Sequence, residues 1–156
     1  MDCSNIYFCF DKSKIKLDEL QELFKLGAFW AKTRTQADLK IAIDNSDPVV
    51  SVWNGTRSIG FARATSDCIY RATIWDVVVH PEYQGAGIGR KLVETVLAHP
   101  KVNRVERVYL MTTHKQNFYK RIGFLENQTT TMILYNNAPV PNFTATEPEE
   151  SNTVIV

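Results

Sequence analysis

The feature that most restricts the fold lies between Ile69 and Leu97, where the hydrophobic period changes across a glycine-rich junction. Ile69 to Val79 is rich in β-branched residues and ends in the continuous run Val77-Val78-Val79, the pattern of a strand covered on both faces. His80-Pro81 closes it, because a proline cannot continue the ladder and keeps the preceding residue out of helical geometry. Beyond it, Ile88, Leu92, Val93, Val96 and Leu97 recur at i, i+4, i+5, i+8 and i+9, with Arg90, Lys91 and Glu94 on the other side. A helix therefore begins near Gly87. Strand and helix are joined by Gln84-Gly85-Ala86-Gly87-Ile88-Gly89.

Glycine at three alternate positions leaves the backbone of this junction nearly bare, so successive N–H groups can converge on one anion. The positive end of the following helix dipole adds to that preference, and Arg90 stands just inside the helix, within reach of the same anion. The dinucleotide fingerprint fits worse: it needs G-x-G-x-x-G, and Gly85-Ala86-Gly87-Ile88-Gly89-Arg90 sets its third glycine one place early. The P-loop fails as well, since Arg90-Lys91-Leu92 stands where Lys and a hydroxyl residue belong. A strand-to-helix turn that holds no ligand stays open as the alternative.

Around this unit, Asn5 to Phe10 reads as a strand, and Leu17, Leu20, Leu23 and Phe24 as a helix stopped at Gly27. Thr35-Gln36-Ala37-Asp38 opens a second short helix with a cap and an acid three residues on. Strands follow over Val49 to Trp53, Ser58 to Ala64 and Ile69 to Val79, with Asn54-Gly55 as the hairpin signal between the first two. A strand over Val105 to Met111, a short helix over Lys115 to Ile122 and a closing strand over Thr130 to Tyr135 complete the order. The fold expected is mixed α/β (α+β): one mostly antiparallel sheet flanked by about four helices over residues 1–135, with a flexible tail over 136–156.

A formal net charge of +1 provides no field for nucleic acid or an acidic membrane. No apolar run reaches a membrane span, and the first ten residues lack a signal-peptide pattern, so a cytoplasmic location is expected. Cys3, Cys9 and Cys68 form no C-x-x-C pair, which argues against a disulfide framework or a metal site.

At its glycine loop the sequence resembles the GNAT superfamily of N-acetyltransferases, whose signature is Q/R-x-x-G-x-G/A after a hydrophobic strand. A second stretch, Phe118-Tyr119-Lys120-Arg121-Ile122-Gly123-Phe124, is similar to the family's F-Y-x-x-x-G-F at the expected distance downstream. Gly60 to Asp67 and Ala72 to Val79 resemble in particular the plant chloroplast and cyanobacterial branch that includes serotonin N-acetyltransferases.

The resemblance implies acetyl-CoA as co-substrate, no metal, and a sheet splayed at the cofactor site. Cofactor-binding residues would be Val77, Val78 and Val79 by their backbone, Gln84, Gly85, Ala86, Gly87, Ile88, Gly89 and Arg90 at the pyrophosphate, and Thr112 and Tyr119 nearer the thiol. It implies direct attack by a neutral amine, with the Val78 N–H on the developing oxyanion and Tyr119 as the acid that protonates the departing thiolate. Thr112 stands where the chloroplast relatives carry an acid seven residues before the tyrosine, and it or His114 would hold a water. Asp76 is the candidate base, although strand alternation sets it opposite Trp75 and Val77, where a structural role is the alternative. Phe29, Trp30 and Trp75 are the candidate substrate-binding residues. The partner implied is a small amine such as serotonin or tryptamine. A protein lysine or a polyamine is the alternative acceptor, and a non-catalytic acyl-CoA-binding module the alternative class; a homodimer is compatible with each.

Overall fold

Apolar spacing becomes packing first in α1 (Leu17–Gly27), which buries Leu20, Leu23 and Phe24 and carries the Lys16–Glu19 and Lys25–Glu22 ion pairs at its start and along its length. The computed structural model describes residues 5–127 and 131–132. The closing strand expected over Thr130 to Tyr135 lies outside the described residues apart from Thr131 and Met132, and the tail from Asn136 lies wholly outside them. The chain divides into a unit ending at Phe124 and a second from Leu125 onward, and everything below concerns the first. Helix α2 (Gln36–Asp44) starts as its sequence predicts: Thr35 Oγ1 accepts from the Asp38 N–H at 3.1 Å and donates to the Asp38 carboxylate at 2.8 Å.

Strands β1 (Ile6–Cys9), β2 (Val49–Asn54), β3 (Arg57–Ser66), β4 (Arg71–Val79) and β5 (Arg107–Leu110) form one sheet in sequence order. The first four pair antiparallel, and β5 lies parallel to β4 after a crossover through α3 (Ile88–Ala98). The β2–β3 hairpin differs in detail from expectation. Asn54 is the last paired residue, opposite Arg57, and the two loop residues are Gly55 and Thr56, with Gly55 at φ +58°, the place a type II′ turn gives to glycine.

Both faces of the sheet are covered, which is why β4 reads as a continuous apolar run. On one face Ile88, Leu92, Val93 and Val96 of α3 pack on Val52, Ala62, Ala64, Ile74 and Val79. On the other, Leu20, Leu23 and Phe24 of α1 with Leu39 and Ile43 of α2 pack on Val49, Phe61 and Val78. Gly27 brings the end of α1 directly onto β4: a Cβ there would lie 2.7 Å from Val78 Cγ2 and 3.2 Å from the Val79 carbonyl.

The strand β4 is broken in the middle. Phe61 opposes Val78 and Arg63 opposes Trp75, so Asp76 and Val77 together face the single residue Ala62. The extra residue is a β-bulge, with Asp76 at φ +56°, a left-handed conformation that aspartate tolerates better than most side chains. Pairing with β5 ends at Ile74 opposite Leu110, just before the bulge. A bulge bends and over-twists its strand, so Trp75 to Val79 swing free of β5 and leave a gap in the sheet.

Helix α4 (Gln116–Lys120) is shorter than the expected span. The Ile122 and Gly123 N–H groups donate to the Tyr119 and Lys120 carbonyls, i to i−3, so the chain tightens into a turn after Lys120. Among the described residues no helix is long and apolar enough to cross a membrane.

Candidate active site

The open edge of β4 is defined by the direction of its peptide groups. The His80 N–H donates to the Ile59 carbonyl at 2.8 Å, which turns the Val79 peptide groups away from β3. Consistently, the Val79 carbonyl accepts from Gln84 Nε2 at 3.0 Å instead of from a strand. Alternation then directs the Val77 and Val79 N–H groups into the gap beside β5 and the Val78 N–H into the β3 ladder, opposite Phe61. The oxyanion donor expected at Val78 is therefore corrected: Val78 is committed to the sheet, with its side chain in the α1-side core.

Gln84 to Gly89 carries the chain from β4 into α3. Gly85 and Gly87 both sit at positive φ, +83° and +81°, and no atom would meet a Cβ at either within 4 Å, so the surface above the loop is open. No side chain caps α3, and its first i to i−4 bond runs from Lys91 to Gly87. The Ile88, Gly89 and Arg90 amides consequently face outward from the positive end of the helix. Two left-handed glycines and an uncapped helix start fit an anionic diphosphate well. The Arg90 side chain is exposed and paired with Glu94 at 2.8 Å, so it reaches an anion here only by leaving that partner.

Tyr119 lies on α4, half-buried, with its ring edge-on to Phe118 at 4.9 Å and to Phe124 at 5.9 Å. Phe118 also packs beneath the glycine loop: a Cβ on Gly89 would lie 3.6 Å from Phe118 Cζ and 3.7 Å from Val79 Cγ2. The end of β4, the start of α3 and α4 thus converge. Burial pushes the Tyr119 phenol above its ordinary value, since the phenolate would lose solvation. A phenol in this setting holds its proton at neutral pH and is present as the proton-bearing form.

Thr112, expected on the cofactor side, acts locally: its hydroxyl oxygen accepts from the Lys115 N–H at 3.1 Å and shapes the approach to α4. His114 is exposed, its ring 6.2 Å from Phe29. Phe29 and Trp30 form a 3-10 turn (Phe29–Ala31) directly after α1, 61% and 48% exposed, with rings edge to face at 5.2 Å. Trp75 is half-buried, its indole N–H donating to Thr65 Oγ1 at 2.9 Å and the Arg63 guanidinium 5.6 Å from its ring.

Asp76 is corrected on two counts. The bulge rotates it to the same side as Trp75, so simple alternation does not apply. Its carboxylate is 4% exposed and taken up at both oxygens, Oδ1 by Arg34 Nη1 at 2.7 Å and Oδ2 by Arg63 Nε at 2.7 Å. A carboxylate enclosed by two guanidinium groups is a structural anion and not a base open to substrate. Nothing in residue spacing singles out Arg34 or Arg63; only the three-dimensional fold brings them to Asp76.

The family model described as "Acetyltransferase (GNAT) domain" matches residues 45–126. The Gracilaria tenuistipitata var. liui protein called "Uncharacterized N-acetyltransferase ycf52" is 37% identical over 126 residues, 78% of this chain and 68% of that one. "GCN5-related N-acetyltransferase 1, chloroplastic" of Arabidopsis thaliana is 30% identical over 116 residues, 72% of this chain and 58% of its own length. Among solved structures, a protein from Xanthomonas campestris pv. campestris assigned to the GNAT family superposes with a TM-score of 0.75 at 29% identity, over 84% of this chain and 93% of that one. The strand, glycine loop and helix that the sequence joins end to end are those of this family, and the chain belongs to the GNAT acetyl-CoA-dependent N-acetyltransferases.

Proposed function

We propose that this enzyme acetylates the primary amine of a small arylalkylamine, of the serotonin and tryptamine type, by direct attack on acetyl-CoA. The observation that carries the aromatic acceptor is the Phe29–Trp30 pair. Two exposed rings, set edge to face immediately after the point where Gly27 abuts the β4 backbone, offer a flat amine an aromatic surface beside the reacting strand.

Acetyl-CoA supplies an activated thioester when bound. The chain's own part is to hold, orient and protonate. Gly85 to Gly89 and the first amides of α3, with Arg90, are the residues that would hold the pyrophosphate. The Val77 and Val79 N–H groups, directed into the gap beside β5, are placed to hydrogen-bond the pantetheine arm and to receive charge as it builds on the acyl oxygen. Tyr119 would give its proton to the leaving sulfur and regain one from solvent; because the phenol is a weaker acid than the thiol, it stays protonated until charge builds on the sulfur. The attacking amine, with Asp76 engaged, loses its proton to solvent.

A second reading, acetylation of a polyamine or a protein lysine, is favoured by a groove of about 420 Å³ beside α1, lined by Asp18, Glu19 and Glu22 together with Arg57 and His80. Glu19 and Glu22 pair with Lys16 and Lys25, so a flexible cation would meet Asp18 and exchange with those lysines at the other two. Thiol release from acetyl-CoA in the presence of serotonin, tryptamine, spermidine or a lysine peptide separates the two. We expect the indole amines to be fastest; spermidine or peptide in front favours the second reading, and no release above the hydrolysis blank defeats both.

The loop itself makes a separate prediction. In Gly87→Ala the new methyl meets nothing, but a left-handed alanine costs roughly 1–2 kcal/mol. We expect KM for acetyl-CoA to rise by about 5- to 30-fold with the fold retained and KM for the amine little changed, read from initial rates at varied concentrations of each.

A further inference from the structure

The Arg34–Asp76–Arg63 cluster does more than neutralise a buried charge, because its three members come from segments that serve opposite sides of the reaction. Asp76 is the bulge residue of β4, where that strand parts from β5. Arg63 belongs to β3, is 14% exposed at its side chain, and is held a second time by Ser46 Oγ at 3.0 Å beyond the end of α2. Arg34 ends the segment Ala28 to Arg34 that carries Phe29 and Trp30, and its side chain is 34% exposed.

That segment has two ends and two fastenings. At the first, Ala28 donates to the Phe24 carbonyl at 2.8 Å and Gly27 rests on Val78 and Val79. At the second, Arg34 reaches Asp76 Oδ1, its guanidinium passes 5.9 Å from the centre of the Phe24 ring, and its carbonyl accepts from Gln21 Nε2 at 2.9 Å. Between them the turn bonds from Ala31 to Ala28 and from Arg34 to Ala31 hold the backbone, and Ala31 is buried in the α1-side core while Phe29 and Trp30 stay exposed. The ion pair therefore adds a polar tie, at the far end of the exposed aromatic turn, to the strand whose peptide groups line the gap.

We infer that Arg34 is a positioning residue: through Asp76 it latches the Phe29–Trp30 turn to the β4 bulge and so sets the place of the amine relative to the acetyl donor. The inner pair, Asp76 with Arg63, sustains the bulge. The outer pair, Asp76 with Arg34, sustains the acceptor side and is the one that can be removed without leaving the carboxylate unpaired. The kinetic part of this inference rests on the arylalkylamine acceptor proposed above; the structural part does not.

The test compares Arg34→Gln and Arg34→Lys with the unmodified enzyme. Hydrogen exchange at the Ala31 and Arg34 amides should quicken by at least about tenfold in Arg34→Gln, one decade corresponding to a modest loss of local stability, while the α3 amides keep their protection. With tryptamine as acceptor, KM for the amine should rise by about tenfold, with KM for acetyl-CoA and kcat near their starting values, as loss of uniform acceptor binding requires. Arg34→Lys, which keeps the charge, should recover part of both effects. Unchanged exchange at Ala31 and Arg34 overturns the latch. Faster exchange with an unchanged amine KM overturns the positioning role, as does an equal rise in KM for both substrates. If the unmodified enzyme does not acetylate tryptamine, the acceptor proposal has failed, and hydrogen exchange alone decides the latch.

Discussion

Replacing Tyr119 with phenylalanine should lower kcat by roughly 10²- to 10⁴-fold, the usual contribution of a positioned general acid, and leave acetyl-CoA binding intact. Phenylalanine keeps the edge-to-face contacts with Phe118 and Phe124, so the turn that closes α4 is retained. What disappears is the proton for the leaving sulfur. The pH dependence gives the same assignment an independent check. The acid must be protonated to act, and burial raises its pKa, so the active form persists as pH rises through the ordinary phenol value. The acceptor must be neutral, so kcat/KM should climb about tenfold per pH unit toward an amine pKa of about 10. The fall on the alkaline side should begin only above the usual phenol range, and Tyr119→Phe should lack that fall. Unchanged turnover in Tyr119→Phe would remove the residue from the acid role.

Asp76→Ala should destabilise the fold by about 3–5 kcal/mol, because it leaves a largely buried arginine with no counter-charge. Arg63 is 14% exposed at its side chain, and with the carboxylate gone Arg34 and Arg63 face one another across the vacated place. Alanine is also less at ease than aspartate at φ +56°. Thermal unfolding should shift down by an amount of the order of 10 °C for a domain of this size. Asp76→Asn keeps the shape and the left-handed preference and should fall between the two. A catalytic base predicts a different pattern: a stable variant whose rate loses its pH dependence below neutrality. Melting temperature and the pH profile of Asp76→Asn, measured together, distinguish an anchor from a base.

The strand, glycine junction and helix were legible in the sequence because each rests on a local rule. β-Branched residues favour a pleated strand, proline stops it, left-handed turns require glycine, and a period of 3.6 marks the helix. The same holds for the Thr35 cap and for α1, whose buried residues are those its spacing predicts. Phe118 to Phe124 was legible through its likeness to the family, although only packing shows why Phe118 accompanies the tyrosine: it fills the space beneath Gly89.

What the sequence could not disclose depends on pairing between distant residues. A one-residue bulge leaves no mark in composition, yet it reverses the facing of everything beyond it on β4. That shift moved Asp76 to the side of Arg63 and Trp75, and the bond from His80 to Ile59 placed the free N–H groups at Val77 and Val79 instead of Val78. The glycine junction and the order of the described elements are thus properties of the chain read locally. Which peptide groups face the gap beside β5, and which arginines enclose Asp76, follow only from strand register, because a hydrogen-bond ladder is fixed by two strands at once and neither encodes it alone.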